Sequence, residues 1–371
     1  MRLLFWVSLF AIFYAYLAYP TWLLLRARLK PKRVNPRQIF PKVSIIVAVH
    51  NEEKSLEQKL YDLQHLDYPI DLMEAIIISD GSTDKTNAIL RGLSESRFRP
   101  IFLPVHVGKA EALNRGVEAA DGEVIVFMDA RQRVAIDSLK MLVEGFADPT
   151  VGCVSGSYDL TDGEEMSPRG VVSYWKLEKI VRYCESTSGS TVGATGALYG
   201  VRRSLIPHLP SGLILDDVLI PMEVVRRRAR VILEPRAHVW DRLTSSARQE
   251  FRRKVRTLFG NYQLLRLAPW LLTAANPLRF EFVSHKLCRL VVPFALIGMI
   301  LSSAFLSGPL YRLTLSAAVG VTTLGALAFL RLPRGSASRV SDLALAFILL
   351  NAAAIVAFFY FSIGKKRVWV S

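Results

Sequence analysis

The sequence predicts an α/β domain, a parallel sheet covered by helices on both faces, set between membrane-crossing helices at the two ends of the chain. Three observations carry this expectation. Short continuous apolar runs alternate with helical patterns between residues 43 and 128, and a strand that is apolar throughout is buried on both faces, as in parallel sheets. The chain of 371 residues is 51% hydrophobic with a mean hydropathy of +0.28, too apolar for a plain soluble enzyme of this size. The excess lies in four runs, residues 3–25, 290–306, 313–330 and 343–361. Each is about long enough to cross a hydrocarbon core of roughly 30 Å.

The first run is long for the apolar part of a signal peptide and has no A-x-A site at its end. Arg26, Arg28, Lys30, Lys32 and Arg33 follow it at once, and such a cluster marks the cytoplasmic side of a membrane. The expected order is an anchor (1–25), a basic linker (26–42) and a cytoplasmic domain (43–247) at the inner (plasma) membrane. Amphipathic interfacial helices (248–288), about three further spans (289–364) and a basic tail (365–371) complete it. Lys286 and Arg289 put the start of the second span inside, and Arg331, Arg334 and Arg339 do the same for the loop between the third and fourth. Lys365, Lys366 and Arg367 then fall outside. Either the tail is an exception to the rule or one run is re-entrant.

Lys and Arg total 47 against 32 Asp and Glu, a net charge of +15. The excess sits beside the spans and in "RQEFRRKVR" (248–256), which suits anionic lipid or a phosphorylated substrate. Nothing resembles a nucleic-acid-binding motif, so nucleic acid is not an expected partner. Cys153, Cys184 and Cys288 are scattered, odd in number and without metal spacing, as in a reduced compartment.

Taken in order, "KVSIIVAVHNEE" reads as a strand over 43–49 turning into a helix over about 52–66. "EAIIISDGSTDKT" repeats the plan, with a strand over 75–79 and a helix from about Thr83, capped by Ser82 or Thr83. "RPIFLPV" is a third strand, "GKAEALNRGVEAADGE" a helix closed by Gly122, and "VIVFMDA" a fourth strand. Ligands of such sheets bind beyond the carboxyl ends of the strands. Glu52, Asp80 and Asp129 stand at three of those ends and are expected to converge in one crevice.

These segments, with "TVGATGALYGVRRSLI", "ILDDVLIPMEVVRRRARVILEP" and "RQEFRRKVRTLFGNYQLL", resemble in their order family 2 glycosyltransferases over about 43–266. The flanking spans resemble the membrane-embedded branch that includes cellulose and hyaluronan synthases. The resemblance implies a GT-A fold, a Rossmann-like mixed and mainly parallel sheet, and inverting transfer of a sugar from a nucleotide-diphosphate donor, a UDP-sugar first. It implies that Glu52 contacts the nucleoside, Asp80 reads the base and Lys109 approaches the nucleotide. It also implies that Asp129 is the first aspartate of an Asp-x-Asp motif, holding Mg²⁺ or Mn²⁺ on the donor diphosphate.

Arg131 replaces the second aspartate of that motif, and an arginine cannot ligate a cation. Three readings stay open. Asp129 holds the metal with phosphates and water; Arg131 turns away to pair with an acid; or Arg131 itself binds phosphate. Inverting transfer needs one base for the acceptor hydroxyl. The resemblance puts it at Asp217, with Asp216 as the other member of the family's acidic pair. On an extended segment the two side chains diverge, so one is expected to face the donor. The resemblance further sets Thr195 and Gly196 at the acceptor, and Gln249 and Arg252 over the diphosphate, with Arg253 where the family has Trp.

"ARQEFRRKVRTLFGNYQLL" carries apolar residues at Phe251, Val255, Leu258, Tyr262 and Leu265, the stripe of an amphipathic helix lying on a membrane. The expected activity is transfer of a sugar to a lipid-linked or growing glycan. The rivals are a polyprenyl-phosphate glycosyltransferase and a nucleotide-binding pseudoenzyme of an export complex.

Overall fold

The computed structural model describes residues 1–161, 169–242, 247–330 and 338–365. Its helices are α1 (Arg2–Phe13), α2 (Tyr19–Leu29), α3 (Leu56–Gln64), α4 (Thr86–Arg91), α5 (Lys109–Ala119), α6 (Ser138–Glu144), α7 (Arg169–Ser188), α8 (Asp216–Arg226), α9 (Ala247–Leu267), α10 (Arg279–Phe282), α11 (Cys288–Ala304), α12 (Pro309–Phe329) and α13 (Ser338–Ser362). Its strands are β1 (Val43–Val49), β2 (Met73–Asp80), β3 (Phe98–Leu103), β4 (Val124–Met128), β5 (Arg133–Val134), β6 (Val151–Thr161), β7 (Leu198–Arg202) and β8 (Arg230–Arg242).

They form one sheet in the order β3-β2-β1-β4-β7-β6-β8-β5. The first four strands are parallel, β7 runs against both β4 and β6, and β8 runs parallel to β6. The sheet is therefore mixed and mainly parallel, as expected. Successive β1 residues face opposite sides. Val43, Ile45, Val47 and Val49 pack with Leu56, Leu60 and Leu63 of α3, while Ile46 packs on the other face with Leu113 of α5 and Val218 of α8. Two-sided burial is why the strand reads as an unbroken apolar run.

Two helix starts lie later than the pattern predicts. Residues 50–52 are a loop, with Asn51 in the left-handed region at φ 54°, and residues 53–55 are a turn closed by Leu56 N on Glu52 O before α3 proper begins. Its Oδ1 accepts from Thr83 N at 2.8 Å, and Ser82 Oγ accepts from Asn51 N at 3.2 Å. The carboxylate of Asp84, not Ser82 or Thr83, takes the first amide of α4, from Thr86 at 2.9 Å. These side-chain bonds offer the backbone an alternative to helix and couple the loops beyond β1 and β2. Gly122 does not close α5, which ends at Ala119. It lets the chain pass against β1.

Among the described residues four helices are long and apolar enough to cross a membrane: Arg2–Leu29, Arg279–Ala304, Pro309–Phe329 and Arg339–Ser362. They match the four expected runs. The Arg331–Arg334 loop and Lys366 and Arg367 lie outside the described residues. The stripe of α9 is not left to lipid: Val255 and Phe259 pack against Ala353 and Ala357 of α13. The amphipathic helix with an open apolar face is α7, which the sequence reading passed over. Its Leu177, Ile180 and Tyr183 are exposed, whereas Val181 and Cys184 pack on Tyr19 and Leu23 of α2.

A Cβ on Gly122 would stand 2.5 Å from Ser44 N and 2.8 Å from Val43 C. Backbone cannot rotate away, so Gly122→Ala should destabilise the protein by about 1–3 kcal/mol. A lower melting temperature in detergent is the expected outcome; an unmoved transition contradicts this close approach.

Candidate active site

The crevice beyond β1, β2 and β4 is assembled from loop ends. At the end of β2, Asp80 is buried, and both its oxygens are engaged by backbone. Val107 N donates to Oδ1 at 2.7 Å and Gly108 N to Oδ2 at 2.8 Å. His106 Nδ1 lies 2.9 Å from the same Oδ2, and its ring lies against that of His50, centroids 4.1 Å apart. Asp80, expected as the reader of the base, also anchors the loop leading into α5. Gly81 is obligatory here, because at φ 61° a Cβ would sit 2.4 Å from His106 N.

That anchored loop delivers Lys109 to the crevice. Its Nζ lies 2.9 Å from Asp129 Oδ1 and 3.2 Å from Asp216 Oδ1. Burial alone would lower the pKa of this ammonium, but the carboxylates of Asp129, Asp216 and Asp217 outweigh it and hold Lys109 above the usual lysine range. Arg131 is 60% exposed and turns away from Asp129, its Nε donating to Glu52 Oε1 at 2.9 Å. Of the three readings of the broken motif, the geometry is that of an arginine paired with another acid. Glu52 also accepts from Ser55 Oγ at 2.6 Å through Oε2.

Asp129 is 37% exposed and meets Lys109 through Oδ1. Among the described residues no group of three His, Cys, Asp or Glu side chains could hold a metal ion. The donor set fits a hard cation that takes one carboxylate here and completes its shell with phosphate and water, and does not fit a closed protein cage.

Asp216 and Asp217 lie in the first turn of α8, not on an extended segment. Their fates differ. Asp216 is buried with both oxygens engaged, Oδ2 accepting from Tyr199 OH at 2.9 Å and Oδ1 facing Lys109 at 3.2 Å. For Asp217, burial and then the neighbouring Asp216 push the carboxyl up to about 6, against the opposing charges of Lys109, Lys286 and Arg182.

The glycine-rich loop closes on Asp217. Ala194 N donates to Asp217 O at 2.7 Å, and a Cβ on Gly196 would stand 3.4 Å from Asp217 Oδ2. Thr195 Oγ1 accepts from Arg182 Nη1 at 3.1 Å. Gln249 and Arg252 are exposed near the start of α9. Arg253 lies 2.6 Å from Glu250 Oε2 and 3.7 Å from Asp241, and Asp241 accepts from Gln132, next to Arg131. The structure thus gathers Lys109, Asp129, Asp216 and Asp217 tightly, sets Thr195 and Gly196 against Asp217, and leaves Gln249, Arg252 and Arg253 on a rim.

Sequence reasoning missed Tyr199, Arg182 and Lys286. Tyr199 was hidden in an apolar strand; the other two belong to α7 and to the entry of the second span, where no crevice was expected.

Residues 44–206 match the model of the family described as Glycosyl transferase family 2. The poly-beta-1,6-N-acetyl-D-glucosamine synthase of Staphylococcus epidermidis (strain ATCC 35984) is 26% identical over 232 residues, 60% of this chain and 55% of that protein. The synthase of the same name from Staphylococcus aureus (strain COL) is 24% identical over 229 residues, again 60% and 55%. The chain thus spans about half the length of these curated relatives. A solved structure, the mannosyltransferase PcManGT from Pyrobaculum calidifontis in complex with GDP-Man and Mn2+, superposes with a TM-score of 0.74 at 23% identity. The likeness covers 98% of this chain and 99% of that one, and so includes the long apolar helices as well as the sheet.

Asp80→Asn should free the 105–108 loop, because an amide nitrogen cannot accept from a backbone N–H. The cost is about 1–3 kcal/mol, read as faster hydrogen exchange at Val107 and Gly108. Unchanged exchange there would remove the anchoring role.

Proposed function

We propose, from the family 2 glycosyltransferase domain that residues 44–206 form, that the chain is a membrane-bound inverting glycosyltransferase. It takes a sugar from a nucleotide-diphosphate donor and passes it to a lipid-linked or growing glycan, with the crevice on the cytoplasmic side of the inner membrane. The observation that carries the reading is the unequal pair on α8. Asp216 is filled by Tyr199 and Lys109, whereas Asp217 has a raised pKa and lies against the small loop at Gly196. One carboxylate fixed and one tuned toward neutrality is what a general base requires.

In this mechanism Asp217 takes the proton of the acceptor hydroxyl as that oxygen attacks the anomeric carbon. The Lys109 ammonium, with Arg131 at the edge, sets a positive field where charge develops on the departing diphosphate. Mg²⁺ or Mn²⁺, when bound, supplies neutralisation of that diphosphate, and Asp129 would hold it. Glu52, through its bond to Arg131, fixes the nucleoside side of the crevice. Thr195 and Gly196 leave room at Asp217 for an acceptor sugar. The basic residues beside the spans suit an acceptor presented by anionic lipid.

The donor is tested by nucleotide release from full-length protein in lipid, scanned over UDP- and GDP-sugars with and without Mg²⁺ or Mn²⁺. Asp217→Asn should lower transfer by about 10²–10⁴-fold while leaving nucleotide binding intact. Asp129→Ala should weaken donor binding itself in the presence of metal. A variant at 217 that keeps full transfer would remove the base.

The pH profile follows from the raised pKa. Asp217 acts deprotonated, so kcat/KM should be level above about pH 7 and fall tenfold per unit below about pH 6. An acid limb centred near pH 4 would mean that Asp217 is not the titrating base.

A further inference from the structure

We infer that Lys59 and Asp62 of α3 are positioning residues for the donor side of the crevice: they brace the main chain between Asp129 and β5 and so fix where the Asp129 carboxylate stands. This deepens the reading of Asp129 as the carboxylate that takes the cation, and rests on it.

The sequence of α3, "LEQKLYDLQ", turns Leu56, Lys59, Leu60, Asp62 and Leu63 inward. Two of those five core positions are charged. Lys59 is 1% exposed and Asp62 5%, and neither residue type is buried to this degree without partners that offset its lost hydration. A lysine near a surface normally carries its ammonium out to water along its own stem; Lys59 does not. Burial pushes its ammonium down to about 8 even though Asp62, Asp129 and Asp241 attract it.

Both buried groups are spent on one short stretch of chain. Lys59 Nζ donates to the main-chain carbonyl of Gln132. An ammonium placed only to balance charge would sit on a carboxylate, whereas a bond to a carbonyl fixes backbone. Asp62 takes the next two residues. Arg133 Nε lies 3.0 Å from its Oδ1 and 2.8 Å from its Oδ2, and Val134 N donates to Oδ2 at 3.3 Å. One residue earlier, Arg131 pairs with Glu52, just ahead of α3. Ala130 is buried in the same core as Leu56, Leu60 and Leu63.

The sheet holds the other edge. Arg133 and Val134 pair with Trp240 and Val239 of β8, and Gln132 Nε2 donates to Asp241 Oδ2 at 2.9 Å. Asp129 therefore stands between the last residue of β4 and a segment held at each residue from 130 to 134. This matters because Arg131 occupies the place of a second acid. With one carboxylate, the position of a cation that demands near-ideal geometry depends on where that one side chain points. The same carboxylate meets Lys109, so its distance from the ammonium has to be set as well. Side chains whose own partners are locked do this.

The test uses full-length protein in phosphatidylcholine nanodiscs, with UDP and GDP as probes. Calorimetry gives nucleotide affinity with and without Mn²⁺, and hydrogen exchange gives the opening of residues 132–134 in the metal-free protein. Lys59→Met keeps nearly the length of the side chain and removes the donor. Arg133→Gln breaks the bond to Asp62 from the side that is 36% exposed and leaves the core untouched. Each should speed exchange at Arg133 and Val134 and reduce the affinity gained from Mn²⁺, by about tenfold for Lys59→Met, with metal-free affinity unchanged. Lys59→Arg, which keeps a charged donor, should recover part of the gain. In an Asp129→Ala background Lys59→Met should cost nothing further, because it acts through Asp129. A Lys59→Met protein that melts lower but keeps the full Mn²⁺ gain would overturn the proposal, and so would an equal loss in the Asp129→Ala background. If Lys59→Met does not fold, Arg133→Gln decides by the same criteria. Unaltered protein that binds nucleotide but gains nothing from Mn²⁺ would instead defeat Asp129 as the cation's carboxylate, while exchange at 132–134 separately tells whether α3 braces the loop.

Discussion

The Lys109 ammonium lies 2.9 Å from Asp129 Oδ1 and 3.2 Å from Asp216 Oδ1, and through it three elements share one position. It opens α5, meets the end of β4 and meets the start of α8. Its place is itself enforced from behind, by Asp80 holding the amides of Val107 and Gly108. A chain of contacts thus runs from the buried end of β2 to the donor side and on to Tyr199 under α8. Burial opposes the lysine's charge and the carboxylates outweigh it. Asp216 is drawn into this balance, while burial and Asp216 itself raise the pKa of Asp217. The division of labour follows from local charge and not from residue type.

A second constraint ties this centre to the membrane. His285 stands between Glu178 and Glu185, with both ring nitrogens at carboxylate oxygens. Tyr19 and Arg26 reach the same region from the N-terminal helix, Tyr19 to Glu185 and Arg26 to Glu281. α7 is thereby clamped between the first span and the second while its outer face stays apolar. The side of the crevice at Thr195 is thus built partly on α7, which the first and second long apolar helices hold.

The sheet was legible because two-sided burial writes itself as continuous apolar runs, and the spans because length and hydropathy suffice. The strand-end acids were legible as a set, but their separate duties were not. Asp80 and Asp216 are engaged by partners 27 and 17 residues away, Val107 and Tyr199, and no local pattern announces them. The late start of α3 depends on bonds between loops from different strands, such as Asn51 to Thr83. The stripe of α9 was correctly periodic, yet periodicity says that a face is buried and not by what; α13 covers it. Arg182 gave no signal, since it looks like an ordinary basic residue until α7 is brought against Thr195.

The clamp also orders the protein's assembly in time. Arg26 and Glu281 are 255 residues apart in the chain, and His285 meets Glu185 across 100 residues. Synthesis runs from the N-terminus, so Lys109, Asp129, Asp216 and Asp217 are all translated before the second long apolar helix. Glu178 and Glu185, which meet Arg182 and Tyr19, gain His285 and Arg289 only once the second long apolar helix has been made. α9 waits longer still, for the last span to cover Val255 and Phe259. The residues of the Lys109 cluster thus all precede in the chain the helices that α7 and α9 pack against at its C-terminal end.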